Sequence, residues 1–87
     1  MKREFTLFDI PTLKLALETA SVSHDNLVSF LDTFVFSSVY ETEDNSVVFY
    51  ADGKNEIEIE FFNFTNPIKR TCSVMYWENG NPYIVEI

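Results

Sequence analysis

The sequence contains few of the residues that build metal centres and nucleophilic active sites. Among its 87 residues there is one cysteine, Cys72, and one histidine, His24. A single cysteine excludes an intramolecular disulfide and suits a reducing compartment. Structural zinc sites usually take four Cys or His ligands, so we predict no metal site. We expect His24 on the surface, in the first turn of a helix, and Cys72 as a buried, unreactive thiol.

Glycine and positive charge are scarce as well. The two glycines, Gly53 and Gly80, are too few for a glycine-rich loop that binds phosphate. Six Lys and Arg against 14 Asp and Glu give a net charge of −8, which disfavours direct binding to nucleic acid or to an anionic membrane. Neighbouring glutamates on an exposed strand would all be ionised. None of them would then carry the proton that a general acid needs beside a general base. The sequence therefore predicts neither enzymatic activity nor a cofactor.

Long hydrophobic runs are also missing. The longest segments without a charged residue, Thr33 to Tyr40 and Phe61 to Ile68, have eight residues each. A membrane-spanning helix needs about 20 such residues. The N-terminus begins with basic residues, but Glu4 and Asp9 interrupt the apolar run that a secretory signal requires. We therefore expect a cytoplasmic protein.

Apolar residues are abundant, and their spacing changes near residue 34. They make up 46% of the chain, enough for one core in a single domain over residues 1–87. Before residue 34 they recur at steps of three and four, which predicts a helical hairpin over residues 9–33. Asp9 and Ser23 are the expected N-caps of its two helices. The apolar stripes are Ile10, Leu13, Leu17 and Ala20, then Leu27, Phe30, Leu31 and Phe34.

Residues 35–87 have the β-branched and aromatic composition of a sheet. Short connections between the apolar segments favour consecutive antiparallel strands in a meander. We predict an α+β fold in two layers, in which the two N-terminal helices pack on one face of a four- to five-stranded antiparallel sheet. The predicted strands are 35–40, 46–50, 56–64, 70–77 and 83–87. Phe5 to Phe8 is a candidate for a further edge strand, and a bulge or strand end is expected just after Phe61.

The turn between the second and third of these strands decides which residues face each other. A three-residue turn, Asp52-Gly53-Lys54, pairs Phe49 with Ile57. A two-residue turn would oppose Phe49 to Glu56 and mix apolar with charged side chains on both faces, which a half-buried sheet disfavours. We therefore expect the three-residue turn, with a positive φ at Gly53.

The strongest chemical pattern is the alternation of glutamate with apolar residues in the third strand. Period-two spacing places Glu56, Glu58 and Glu60, here called the glutamate ladder, on one side of a strand about 7 Å apart, a scale similar to that of phosphates along a nucleic-acid strand. Further acids are expected beside the ladder: Glu41, Glu43 and Asp44 in a neighbouring loop, and Asp52 at the hairpin tip. The alternative is a solvated face whose charge prevents aggregation.

The face of the sheet that carries the ladder, here called the outer face, also carries large apolar residues. Val48 and Tyr50 are expected there, and Trp77 points to the opposite side from its neighbour Tyr76. A two-layer protein needs one apolar face, so a second one bordered by acids is typical of a contact surface. Alternatively, Trp77 packs on Phe5 and Phe8 as part of the core.

These features together predict an acidic inhibitor that binds a basic protein, most plausibly a nucleic-acid-handling enzyme such as a nuclease. In size, charge and lack of catalytic residues the chain resembles small phage-encoded inhibitors, such as anti-CRISPR and anti-restriction proteins, and the immunity proteins of nuclease toxins. That resemblance is one of composition and includes no specific motif. The expected interface residues are Glu41, Glu43, Asp44, Tyr50, Asp52, Glu56, Glu58, Glu60 and Trp77.

Two other functions fit parts of the same pattern. The second apolar face and the apolar last strand would suit an assembly module that pairs through its sheet, as a homodimer or within a larger complex. A pocket lined by Phe side chains between the helices and the sheet would suit a binder of small molecules or peptides.

Overall fold

The computed structural model describes residues 2–19 and 23–87, and it has two helices and a five-stranded antiparallel sheet. This confirms the predicted α+β class. Ala20, expected on the apolar stripe of the first helix, lies outside the described residues. The elements in chain order are β1 Arg3–Glu4, a 3₁₀ turn Leu7–Asp9, α1 Ile10–Glu18, α2 His24–Leu31, β2 Phe34–Val35, β3 Ser38–Glu41, β4 Ser46–Asp52, β5 Glu56–Phe62, β6 Thr71–Glu78 and β7 Asn81–Glu86.

The sheet is the predicted meander. Its strands follow the order β3-β4-β5-β6-β7, and each pairs antiparallel with its neighbours in the chain. β5 ends at Phe62, and Asn63 has a positive φ of 53°, so a strand end accounts for the break in alternation after Phe61. The β6–β7 turn has positive φ at Asn79 and Gly80, as two-residue hairpin turns require.

The register of the β4–β5 hairpin differs from the expected one. Phe49 faces Ile59 rather than Ile57, because β4 continues to Asp52 and the turn consists of residues 53–55. Gly53 does not adopt a positive φ. The longer hairpin adds backbone pairing between β4 and β5, and Asp52 pairs with Glu56 next to the turn. Since the shift is two residues, every side chain keeps its predicted face.

One hydrophobic cluster contains buried residues from both helices and from the inner face of the sheet. Leu13 of α1 and Leu27 of α2 belong to the same buried cluster as Ile57, Ile59 and Phe61 of β5. All of these residues are essentially inaccessible to solvent. The glutamates of β5 alternate with these three apolar side chains, so burial of one set directs the other away from the cluster.

The N-terminal segment departs from the expected pattern. Residues 5–8 do not form a strand; the extended piece is β1, which pairs in parallel with β2. Phe5 is buried and its ring lies 5.0 Å from that of Phe34. This burial fixes the chain between β1 and the 3₁₀ turn.

Asp9 does not cap α1, although Ser23 caps α2 as expected by accepting from the Asn26 amide. The Asp9 carboxylate points back along the chain instead. It accepts from the Thr6 amide at 2.8 Å and pairs with the Arg3 guanidinium. The buried Asp9 carboxylate therefore binds residues that precede it in the N-terminal segment rather than the free amides at the start of α1.

Truncation of a core residue of β5 should destabilise the protein far more than truncation on the edge strand. We expect Ile59→Ala to lower the free energy of unfolding by about 2–5 kcal/mol, because Ile59 is 0% exposed and the change leaves a cavity. Ile84→Ala is the control, since Ile84 is 64% exposed, and its effect should stay within about 0.5 kcal/mol. Urea unfolding followed by circular dichroism measures both values; equal losses would contradict this core.

The Asp9 interactions should make stability depend on acid pH. The hydrogen bond from Arg3 lowers the pKa of Asp9 below its ordinary value, with further help from Thr6. Asp9→Asn should therefore cost about 1–3 kcal/mol near neutral pH. The gap to the wild type should begin to narrow below about pH 4, where the unfolded chain takes up a proton at Asp9, and should close only once the pH lies below the lowered pKa of Asp9 in the folded protein. Asp32→Asn, which breaks the exposed pair with Lys2, should change stability by less than about 1 kcal/mol at any pH.

Candidate interaction surface

The strand register shows which side chains share the outer face with the glutamate ladder. Glu58 lies opposite Tyr50 on β4 and opposite Met75 on β6. Glu60 lies opposite Val48 and Ser73 in the same way. Because β5 is the middle strand, the ladder runs along the centre of the sheet rather than along an edge. The outer face therefore has a central acidic row between two rows that combine large apolar or aromatic side chains with small polar ones.

Glu58 and Glu60 line a shallow depression of about 220 Å³ on the outer face. Val48 and Met75 line it with them, and Tyr40 of β3 closes one side. Glu58 and Glu60 are half-buried, whereas Glu56 is exposed. Carboxylates held beside apolar atoms are less screened than freely solvated ones, so their field extends further toward a partner.

A chain of hydroxyl groups holds one end of the ladder. Ser46 donates to the Glu60 carboxylate at 2.6 Å, and its oxygen lies 2.6 Å from the Thr42 hydroxyl. Ser46 is fully buried, so this contact fixes the Glu60 side chain. Nothing in the local sequence points to Ser46 or Thr42, because only the strand register and the β3–β4 turn bring them within reach of Glu60.

Tyr50 lies among the acids at the other end of the ladder. Burial raises the pKa of the Tyr50 phenol above its ordinary value, and the charges of Asp52, Glu56 and Glu58 raise it further. A hydrogen bond with Glu56 acts in the same direction. Four of the residues expected at the interface therefore lie together at this end of the ladder: Tyr50, Asp52, Glu56 and Glu58.

The acids near the β3–β4 turn divide between the two faces. Glu41 is part of β3 rather than a loop, and it pairs with Val47, which puts it on the face opposite the ladder. The expected place of Glu41 beside the ladder is therefore wrong, because alternation along β3 turns it inward. Glu43 and Asp44 are exposed in the turn, whose Thr42 connects through Ser46 to Glu60. These two remain at one end of the ladder.

Trp77 is half-buried and lies outside the hydrophobic cluster. Its position on β6 gives it the same orientation as Met75, toward the outer face. It also lines an open groove that includes Phe5 and Phe8. Trp77 therefore shares a groove with these two residues and is only partly accessible to solvent.

Basic side chains do not neutralise the ladder. Lys2, Arg3 and Lys14 form ion pairs with acids outside it. Arg70 donates to the Phe64 carbonyl at 2.9 Å and lies over the Phe64 ring. Among residues 2–19 and 23–87, no Lys or Arg forms an ion pair with a glutamate of the ladder. Its negative charge is therefore available to a partner.

The two candidate nucleophilic or basic residues have structural roles. Cys72 is buried in the hydrophobic cluster, as expected, and burial raises the pKa of its thiol to about 12. A thiol with this pKa is almost entirely protonated near pH 7 and reacts slowly. His24 is partly buried rather than on the surface, because its ring packs edge-on against Phe64 at 5.0 Å.

Removal of a ladder charge should alter the titration of Tyr50. We expect Glu56→Gln to lower the pKa of Tyr50 relative to the wild type, since a negative charge that opposes the phenolate is lost. Glu41→Gln is the matched control and should leave that pKa unchanged, because Glu41 lies on the other face. Ring signals of Tyr50 in NMR spectra recorded across alkaline pH measure the effect, and equal shifts in the two variants would refute this arrangement.

Neither a metal centre nor a membrane span is found in residues 2–19 and 23–87. No group of three or more His, Cys, Asp or Glu side chains there is placed to hold a metal ion. The helices in this part of the chain are too short and too polar to cross a membrane. The outer face, with its central acidic row, is therefore the candidate functional surface of the described residues.

No family model, no curated protein and no solved structure matches the chain.

Proposed function

We propose that the protein is a non-catalytic inhibitor that binds a basic, nucleic-acid-handling protein through its outer face. The observation that carries the proposal is the glutamate ladder at the centre of the sheet, which forms no ion pair within the described residues and has Tyr50 and Met75 beside Glu58. Its target would be a nuclease or another enzyme with a cationic cleft, the kind of protein that phage-encoded anti-defence inhibitors and toxin immunity proteins block.

The electrostatic part of the proposal follows from the spacing and the charge. Carboxylates about 7 Å apart along a strand place negative charge on a scale similar to that of phosphates along nucleic acid. The net charge of −8 attracts a basic cleft over a distance and repels nucleic acid itself. Complementary charge accelerates association and excludes wrong partners, so the inhibitor would occupy the cleft in place of nucleic acid.

The apolar part supplies the affinity that exposed charges do not. Met75 borders the ladder and is half-buried, and Tyr40 and Ile84 are exposed on the edge strands β3 and β7. Aromatic and other large side chains near the centre of an interface contribute most of the binding energy once water is excluded. Charge thus selects the partner, and contact with these side chains retains it.

Assembly through the edges of the sheet is the second candidate. Val39 on β3 and Ile84 on β7 are exposed on the two edge strands. An exposed apolar edge is a template for pairing with another strand. Pro82 weakens this alternative on β7, because it lacks an amide hydrogen to donate. Light scattering that finds a strict monomer at high concentration would exclude a homodimer.

Charge reversal of the ladder should abolish partner binding. The test variant carries Glu56→Lys, Glu58→Lys and Glu60→Lys, and the protein is immobilised and exposed to a bacterial lysate treated to remove nucleic acid. We expect the parent to retain nucleic-acid-handling proteins that a DNA duplex displaces, since both bind one cleft. The variant should bind the identified partner at least about tenfold more weakly.

The control variant has the same change in net charge at other sites. It carries Glu18→Lys, Asp25→Lys and Glu41→Lys, which lie on α1, α2 and the opposite face of the sheet. Circular dichroism checks that both variants fold. Equal loss of binding in the two variants would show that net charge, and not the ladder, determines binding. If DNA does not displace the retained partners, the proposed mimicry of nucleic acid is refuted.

A further inference from the structure

An open groove lies where the β4–β5 and β6–β7 turns meet the N-terminal segment. It has a volume of about 1110 Å³ and is lined by residues 4–8, 53–57 and 77–80. Phe5 and Ile57, which belong to the hydrophobic cluster, form its buried apolar lining. The volume matches the upper range of pockets that hold ligands of drug size, about 300–1,000 Å³, so a few residues of an extended chain would fit.

Phe8 is exposed at this groove although the segment that carries it is held on both sides. Its side chain is 91% accessible to solvent. Phe8 lies in the 3₁₀ turn, between the buried Phe5 and the carboxylate of Asp9, which accepts from the Thr6 amide. A fixed turn therefore presents an aromatic ring to solvent, as large apolar residues at contact sites do.

The groove has an excess of negative charge. Three exposed carboxylates line it, from Glu4, Glu56 and Glu78, against one amine, from Lys54. The Glu4 carboxylate lies against Gly53, where a Cβ atom would be only 2.6 Å from its Oε1. These charges favour a cationic occupant and disfavour an acidic one.

We propose that the groove binds an extended segment of the partner protein in which Lys or Arg residues flank a large apolar side chain. The apolar side chain contacts Phe8 and Trp77, where burial of both rings drives binding. The cations lie beside Glu56 and Glu78, and an Arg can also stack on the Trp77 ring. A segment with charge alone leaves both rings exposed and binds more weakly.

This inference rests on the proposed function, because it specifies the part of the basic partner that reaches one end of the outer face. Glu56 and Trp77 line the groove and also point toward the outer face, so the two surfaces are continuous. The ladder attracts the partner, and the groove holds one of its side chains.

The test uses Trp77 as its reporter, since it is the single tryptophan of the chain. The probe is a short synthetic peptide without Trp, in which Lys and Arg residues flank a Leu-Phe pair. We expect the peptide to change the Trp77 fluorescence, and Phe8→Ser to weaken its affinity about tenfold. Ile68→Ser is the matched control with unchanged affinity, because Ile68 is 92% exposed and lies outside the groove.

A second peptide keeps the charges and replaces the Leu-Phe pair by Ser-Gly. Equal affinity for both peptides, or unchanged binding by Phe8→Ser, overturns the inference. Reversal of Glu58 and Glu60 separates it from the proposed function, because neither residue lines the groove. If the protein captures a partner from the lysate but does not bind the peptide, only the inference about the groove is refuted. If it binds the peptide but captures no partner that DNA displaces, only the proposed function is refuted.

Discussion

The middle strand β5 supplies both the core and the candidate interaction surface. Ile57, Ile59 and Phe61 are buried in the hydrophobic cluster, and the intervening glutamates point the other way. A slip of one residue would bury three carboxylates and expose three apolar side chains, at a cost of several kcal/mol per unpaired charge. The orientation of the ladder is therefore fixed by the same register that buries the core, so the surface proposed for binding needs little reorganisation.

The N-terminal segment has a comparable dual role at one end of the sheet. Phe5 inserts its ring into the hydrophobic cluster, and Asp9 closes the chain through Arg3 and Thr6. Phe8, between these anchors, is left outside the core. The same local interactions that fix the segment thus form one side of the groove, which gives an exposed aromatic ring a defined position.

In the proposed complex, the outer face and the groove would combine two kinds of interaction that contribute at different stages of association. Carboxylates near the centre of the sheet act over a distance and govern encounter and selection. Aromatic and aliphatic side chains beside them act only on contact and govern how long a complex lasts. Glu56 and Trp77 belong to both surfaces, so a single basic partner could use the two in succession.

The local sequence pattern alone was sufficient to predict the helices, the meander and the common face of the three ladder glutamates. These features depend on the periods of a helix and a strand, 3.6 and two residues, which neighbouring residues reveal. The two-residue shift between β4 and β5 left the faces intact for the same reason. Contacts that the period does not reveal decided the remainder. Glu41 took the inner face, and Phe8 and Trp77 came to line one groove, because each position depends on which strand or segment packs beside it. Asp9 paired with Arg3 instead of capping α1.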